Sequence, residues 1–222
     1  MLSTFEIIFR YKEALLKGLS VTLELCAIIW VIGIVLGIVF GYLGYKFKNG
    51  VGSPLKIISF VLAGIPILVL LFWFYYPAQT ILQVNIAPFL VTIFVLSIIN
   101  IVAVADLTRN ALSNFPKEYV LAAKVCGLSP KDTFLRIEFP IVLRQILPGL
   151  LNIQVYILQI SIFASLISVE EIFRVAQQIN SQIYQPVEIY SSLAIFFLIV
   201  CLPLNGLAMW LKYKFTRDIS EK

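Results

Sequence analysis

Long apolar runs recur along the chain and restrict it to folds that place most residues in a lipid bilayer. Hydrophobic residues make up 60% of the sequence, whereas soluble domains are about half apolar. A transmembrane helix needs about 20 consecutive apolar residues, and runs of this kind occupy 19–45, 57–76, 89–105, 141–167 and 189–211. They predict an all-α integral membrane protein with five transmembrane helices in a single domain, residues 1–222. A charged stretch without a small-residue cleavage pattern precedes the first run, which indicates a retained helix rather than a removed signal peptide.

The composition excludes several functional classes. Histidine is absent, and the cysteines Cys26, Cys126 and Cys201 are far apart, so we expect no histidine-based catalysis, no disulfide framework and no metal site. The net charge of +5 is explained by cytoplasmic loops, so we expect no nucleic-acid partner. No phosphate-binding loop for ATP is present in the sequence. The chain is therefore not expected to be an enzyme.

The distribution of lysine and arginine predicts the orientation of the spans. These residues accumulate on the cytoplasmic side of membrane proteins. Thirteen of them follow the first, third and fifth spans, against Arg10, Lys12, Lys17 and Arg174 on the other side. We therefore predict a multi-pass protein of the bacterial cytoplasmic membrane, with its N terminus outside and its C terminus in the cytoplasm.

Small residues and prolines within the spans predict how the helices pack. Gly33, Gly37 and Gly41 share one face of the first span, which favours close approach of a neighbouring helix. Prolines at positions 66, 148 and 203 fall within the second, fourth and fifth spans, where each is expected to kink its helix.

The segment between the last two spans predicts an amphipathic helix on the outer surface. Ser168 and Glu171 have the spacing of a capping box. Apolar residues then recur at helical spacing as far as Ile183. This helix could shield the bundle or contact an external partner.

The segment 116–140 is too long for a simple connection, and it predicts a compact helical knob on the cytoplasmic face. Gly127 suits a left-handed helix end. Ser129 can cap a second short helix, with Pro130 at its first position and Asp132 in its first turn. We expect Val120, Ala123 and Phe134 to dock this knob, and Lys131, Asp132 and Arg136 to be available to a partner.

This knob resembles the Glu-Ala-Ala loop of bacterial ABC importer permeases. Leu121-Ala122-Ala123, Gly127 and Ile137-Glu138-Phe139-Pro140 keep the spacing of that motif. The branch that takes up polar amino acids, which includes histidine and glutamine permeases, is further resembled at Gly18-Leu19-Ser20-Val21-Thr22-Leu23, Gly64-Ile65-Pro66, Leu147-Pro148-Gly149-Leu150-Leu151-Asn152, Glu170-Glu171-Ile172 and Glu188-Ile189-Tyr190. The resemblance covers most of residues 15 to 215.

The resemblance implies the fold of a type I ABC importer with a cytoplasmic coupling helix. It implies a second permease copy or homologue, two ATPase subunits that bind ATP and Mg, and an external substrate-binding protein. The residues it assigns to ATPase coupling are Ala122, Ala123, Gly127, Lys131, Asp132 and Arg136.

The sequence departs from the family pattern in the loop motif and within the second and fourth spans. Leu121 replaces the glutamate of the loop motif, which removes a charged contact. Ala63 and Ile65 flank Gly64 where the family often has arginine and threonine, and Gln159-Ile160-Ser161-Ile162 replaces a frequent Lys-Asp-Thr-Ser. Either the cargo is less charged than arginine, or a different partner permease supplies the polar contacts.

Polar side chains inside the predicted spans are candidates for the substrate pathway, because such groups usually face the protein interior or a wet cavity. They are Glu24, Asn100, Gln154, Gln159 and Ser161, with Asn152 and Ser165 as further members. Gln154 and Gln159 could bind the carboxylate or amide of an amino acid, or form interhelical hydrogen bonds. Glu24 could pair with a substrate ammonium, or extend to the membrane interface near its end of the span.

Two alternatives remain for the function. The chain could serve an ABC importer of another small solute, or it could be an ATP-independent secondary transporter. Secondary transporters often show two related halves and an ion site of their own. No inverted repeat is evident here, which favours the importer.

Overall fold

The computed structural model describes residues 4–216, which form helices joined by short connections. The helices are Thr4–Arg10 (α1), Lys12–Lys46 (α2), Ser53–Gly64 (α3), Ile67–Tyr75 (α4), Pro77–Leu82 (α5), Pro88–Ser113 (α6), Lys117–Val125 (α7), Pro130–Thr133 (α8), Phe139–Ile160 (α9), Ile172–Ile183 (α10) and Pro186–Thr216 (α11). Wider π-helical turns cover Lys48–Gly52 and Phe134–Glu138, and a tighter 3₁₀ helix covers Ser161–Ile167.

Four helical stretches within residues 4–216 are long and apolar enough to cross a membrane: Lys12–Lys46, Pro88–Ser113, Pro130–Ile167 and Pro186–Phe215. A fifth candidate is the broken pair Lys48–Gly64 and Ile67–Leu82. The helices overlap all five predicted spans, and the second of these is the broken one.

The second predicted span bends by 97° instead of kinking slightly. The bend lies at Ile65, whose backbone is extended with φ −108° and ψ 124°. Proline disfavours helical geometry in the residue before it and has no N–H to continue the helix. Pro148 and Pro203 lie inside continuous helices, so of these three prolines within the predicted spans only Pro66 separates two helices.

The centre of the fold is the contact between α2 and α6, and the predicted glycine face forms it. A Cβ atom on Gly37 would lie 2.5 Å from Cβ of Val104, and one on Gly41 would lie 2.6 Å from Cβ of Thr108. Real side chains do not approach so closely. The glycines therefore allow the two helices to pack backbone against side chain, as predicted.

The other elements pack around this pair. Apolar side chains of α6 and α9 form one core with Phe115 and Leu112. Another core joins α2 to α6 and α9 through Leu25, Leu96 and Ile157. The α10 helix packs on α2 and α11 through its buried face, which includes Val175 and Ile179.

Replacement of Gly37 by alanine should destabilise the chain by about 1 to 3 kcal/mol, the usual cost of overpacking a tight interface. The new methyl group would meet Val104 and the carbonyl oxygen of Ile101. Thermal unfolding in detergent would measure the loss. Gly206→Ala is the matched control, because a Cβ there meets nothing within 4 Å, and it should leave stability unchanged or slightly higher. Equal melting temperatures for the two variants would contradict the role assigned to the glycine face.

Candidate transport pathway and coupling region

Asn100 and Gln154 form a reciprocal amide pair in the interior of the bundle. The Asn100 Nδ2 donates to Gln154 Oε1 at 2.9 Å and to the carbonyl oxygen of Ile29 at 3.1 Å. The Gln154 Nε2 donates back to Asn100 Oδ1 at 3.2 Å. Both side chains are buried, so the pair joins α2, α6 and α9. Of the two roles open for Gln154, the structure supports the interhelical hydrogen bond.

The amide pair depends on a glycine in the facing helix. A Cβ on Gly33 would lie 2.2 Å from Asn100 Nδ2. The absence of a side chain at Gly33 therefore creates the space that the Asn100 amide fills. A buried amide without hydrogen-bond partners costs free energy. The Asn100 side chain therefore needs both the space at Gly33 and its hydrogen-bond partners.

The two serines near the end of the fourth span bond within their own helix. The Ser161 hydroxyl donates to the carbonyl oxygen of Leu158 at 2.8 Å, and Ser165 donates to that of Ile162 at 2.7 Å. Both residues are buried. Their hydroxyl protons are thus occupied locally, and neither residue lies on an open surface of the chain.

Gln159 lies on the exposed side of α9 with two other polar residues. Asn152, Tyr156 and Gln159 follow one another at spacings of four and three, which places them on one helical face, and all three are exposed. We name these three residues the polar face of α9. They lie well inside the candidate span 130–167. Glu24 is also exposed, on α2, away from the buried amide pair.

A cavity of about 460 Å³ lies beside the polar face, at the break in the second span. Its wall includes Ser59, Gly64, Pro66, Ala103 and Tyr156. The extended residue before Pro66 interrupts helical hydrogen bonding at this point. Irregular backbone at membrane depth is tolerated where it is buried in protein or lines a wet cavity.

An ion pair adjoins this cavity through Ser59, which lines the cavity, and joins the second and third spans. The Arg109 guanidinium donates to Asp106 Oδ1 at 2.7 Å and to the carbonyl oxygen of Gly52 at 3.3 Å. The Ser59 hydroxyl donates to the other oxygen of Asp106. Because Arg109 is buried, this network fixes the turn between α2 and α3 against α6.

The predicted capping box before α10 is wrong, although the helix itself is present. Ser168 has a left-handed backbone with φ 71°, and the N-cap is Glu171. The Glu171 carboxylate accepts from the backbone N–H groups of Phe173 and Arg174 at 2.9 and 2.8 Å. A bend at Ser168 directs the chain away from the preceding helix, so Ser168 cannot cap the next one.

Glu171 is fully buried beside the first span. Burial raises the pKa of its carboxyl from 4.5 to about 7, although the two N–H bonds favour the charged form. Its contribution to stability is therefore present below pH 4.5 and is lost as the pH rises towards 7. The neighbouring Thr22 hydroxyl accepts from the Ile172 N–H at 3.1 Å and fixes the start of α10 to α2.

The knob formed by residues 116–140 begins as predicted and then differs. Gly127 has φ +78°, and the Ser129 hydroxyl accepts from the Asp132 N–H at 3.1 Å. The expected second short helix does not end separately. It passes through the turn Phe134–Glu138 directly into α9, so Pro130–Ile167 forms one continuous helical run.

The predicted coupling residues divide into packed and exposed groups. Ala123 is buried, Ala122 and Lys131 are exposed, and Asp132 pairs with Arg136 at 3.3 Å. Asp132 also accepts a hydrogen bond from Ser129 at 2.5 Å. Local partners thus occupy Asp132 within the knob. Val120 and Phe134 pack into the core beneath it, as predicted.

Two sets of residues were missed from the sequence. Tyr156 is the third polar residue of the polar face. Its spacing from Asn152 and Gln159 in the sequence indicates that the three share one helical face. The knob exposes apolar side chains at Leu121 and Val125, the latter 89% exposed. Their spacing of four on α7 places them on one helical face. Charged residues stand close to them in the sequence, so the two do not stand out as an apolar pattern.

Replacement of Asn100 or Gln154 by leucine should destabilise the bundle by about 1 to 2 kcal/mol each, because each change removes both hydrogen bonds between the two amides in an apolar interior. The double variant should lose less than the sum of the single losses. Thermal unfolding would be measured for the unchanged protein, the two single variants and the double variant, which together form a double-mutant cycle. Strictly additive losses would show that the two amides do not depend on each other.

Comparison with known proteins agrees with this architecture. Residues 33–220 match the family model described as binding-protein-dependent transport system inner membrane component. The histidine/lysine/arginine/ornithine permease HisQ of Salmonella typhimurium is 24% identical, over 96% of this chain and 98% of the relative. The glutamine permease GlnP of Escherichia coli K12 is 26% identical, over 86% and 88%. The octopine permease OccM of Rhizobium radiobacter is 28% identical, over 84% and 80%.

Solved structures show the same fold. A chain of an amino acid ABC transporter crystallised with histidines superimposes with a TM-score of 0.81 at 23% identity, covering 96% of this chain and 99% of that one. A chain of the inward-facing MetNI methionine ABC transporter gives 0.72 at 19% identity, covering 93% and 98%. The fold of this chain is therefore the one that these transporter chains have. The chain belongs to the family of binding-protein-dependent transport system inner membrane components and is a permease subunit of an ABC importer.

Proposed function

We propose that this permease carries an amino acid or a close analogue across the membrane, together with a second permease, two ATPases and an external binding protein. Relatives named for histidine, lysine, arginine, ornithine, glutamine and octopine support the cargo class. The observation that carries the proposal is the polar face of α9, which is exposed on a helix long and apolar enough to span the membrane.

The polar face supports a pathway on one side of the chain. Amide and phenol groups are costly in contact with lipid tails and usually face a wet cavity or another protein. The cavity at the broken second span adjoins Tyr156. A second permease placed opposite would enclose this cavity and the polar face between the two subunits. Asn152, Tyr156 and Gln159 would then contact the cargo, whereas Asn100 and Gln154 hold the helices together and Ser161 stays bonded within its own helix.

The chemistry of the pathway favours a cargo without a charged side chain. The wall of the cavity carries a hydroxyl at Ser59 and a phenol at Tyr156, but no ionisable carboxyl, ammonium or guanidinium. Hydroxyl and amide groups can hydrogen-bond a zwitterionic backbone and a neutral polar side chain. Glu24, which is exposed elsewhere on α2, remains a proposed contact for a substrate ammonium.

The knob is the proposed site of the ATPases, which would bind ATP and Mg. Its exposed apolar residues Leu121 and Val125 suit burial in a protein groove, and Lys131 and Arg136 lie at its charged edge. Motion of the knob would reach the polar face directly, because Pro130 begins the same helical run that carries Tyr156. On the outer side, the exposed polar residues of α10 would meet the binding protein, with the N terminus outside.

Transport of amino acids by the assembled complex tests the cargo class. The chain would be reconstituted in vesicles with its co-purifying subunits, and uptake of labelled amino acids would be measured with and without ATP on the ATPase side. ATP-dependent uptake of an amino acid is expected. ATP-dependent uptake of a different solute alone would overturn the cargo class, and uptake driven only by an ion gradient would overturn the mechanism.

Gly127→Val should release the ATPases and abolish ATP-dependent uptake. A β-branched residue at φ +78° is strongly disfavoured, so the turn between α7 and α8 must change. Gly127→Asn is the matched control, because asparagine tolerates left-handed geometry and open space surrounds the position. Co-purification of the ATPases measures the effect. Equal retention in the two variants would contradict a role for this turn in coupling.

Tyr156→Ala and Gln159→Ala should each lower amino-acid uptake roughly five- to thirtyfold, since loss of one polar contact to a substrate costs about 1 to 2 kcal/mol. Both side chains are exposed, so thermal stability should change little. Leu143→Ala on the apolar side of the same helix is the control and should transport normally. Wild-type uptake by both variants would remove the polar face from the pathway.

A further inference from the structure

An apolar groove at the N-terminal end of α2 is not used by the transport pathway. It has a volume of about 360 Å³ and lies between α1, the start of α2, α10 and α11. Leu15, Leu19, Ala176 and Leu193 form part of its wall. Among the residues that line it, Lys12 and Ser192 are the only polar ones. The cavity at the broken second span is separate and shares no lining residue with this groove.

The interior of the groove offers no free hydrogen-bonding group to a polar ligand. The Ser192 hydroxyl donates to the carbonyl oxygen of Glu188 at 2.7 Å, within its own helix. The rest of the wall is aliphatic or aromatic apart from Lys12. An occupant of the interior must therefore present an apolar surface, as an acyl chain does.

The dimensions of the groove match one acyl chain in one leaflet. It follows α11 from Ile189 to Ile199, which is about 15 Å at 1.5 Å per residue. Half of a hydrocarbon core of about 30 Å is the same length.

Lys12 is the cation on the wall of the groove. It is the first residue of α2, and its Nζ lies 5.0 Å from the centre of the Phe9 ring, which is exposed and does not line the groove. The ring attracts the ammonium, which stays accessible beside the groove. A lysine near a phospholipid headgroup binds the charge of its phosphate.

The geometry points to a phospholipid site in this groove: one acyl chain lies between α1, α2, α10 and α11, and Lys12 binds the headgroup phosphate. The lipid belongs to the leaflet in which α2 begins. It covers the apolar wall that α10 and α11 form together and thereby supports the docking of α10 on the bundle. Such a site requires only that the chain lies in a bilayer, and is independent of the cargo and partners proposed above.

Retention of phospholipid by the purified complex tests this site. The complex would be assembled in nanodiscs of phosphatidylglycerol and phosphatidylcholine and extracted with mild detergent. Native mass spectrometry would then measure the mass of the complex with any phospholipid that remains bound. A phospholipid should remain bound to each copy of the chain. Ser192→Phe should abolish this retention, because the aromatic ring would occupy the groove.

Ser191→Phe is the matched control for the filled groove. Ser191 is the exposed neighbour of Ser192 and does not line the groove, so this variant should keep the lipid. Equal retention by the two variants would overturn the proposal. Loss of subunit assembly in Ser192→Phe with unchanged lipid would also overturn it, because the groove would then face a protein.

Lys12→Gln tests the headgroup contact without altering the packing of the bundle. It should weaken retention by roughly fivefold, the effect of one cation near a lipid headgroup. Lys17→Gln, on the same helix but away from the groove, should have no effect. Identical lipid retention in the Lys12 and Lys17 variants would overturn the assignment, even if Ser192→Phe failed to fold.

Discussion

The close approach of α2 to α6 is the constraint on which the rest of the structure depends. Three glycines on one face of α2 lie against Asn100, Val104 and Thr108 of α6, with no space for a Cβ atom between them. Apolar burial provides little drive for association inside a bilayer, so helices there associate through packing and hydrogen bonds. The same glycine face admits the Asn100 amide, which reaches Gln154 of α9. Close packing and the central polar contact are thus one arrangement.

Polar residues in the spans fall into two groups with different physical roles. Asn100, Gln154, Ser161 and Ser165 are buried and hydrogen-bonded within the chain. They remove the cost of polar atoms in an apolar interior and leave little capacity for a ligand. Asn152, Tyr156 and Gln159 are exposed on the chain and unsuited to lipid. A polar group that its own chain leaves exposed at this depth indicates where water, cargo or another subunit lies.

The continuous helical run from Pro130 to Ile167 connects the two regions for which functions are proposed. It begins at the knob and carries the polar face in its middle. Tyr42 of α2 packs against Phe134 at the base of this run, with ring centres 4.6 Å apart and ring planes tilted by 39°. A displacement of the knob would therefore act on both the first and the fourth spans. The wide turn at Phe134–Glu138 interrupts the regular hydrogen bonding between knob and span.

The sequence by itself determined the membrane class, the approximate spans, the glycine face, the turn at Gly127 and the resemblance to importer permeases. Each of these features depends on local periodicity, backbone preference or motif spacing. It could not assign the polar residues to bundle or pathway, since Gln154 and Gln159 are chemically alike and differ only in the direction they face. The cap of α10 was misassigned to Ser168 because the left-handed bend there depends on the packing of the chain. Only the tertiary structure paired Asn100 with Gln154 and placed Tyr156 beside the broken second span, because contacts between residues far apart in the chain arise when the helices pack.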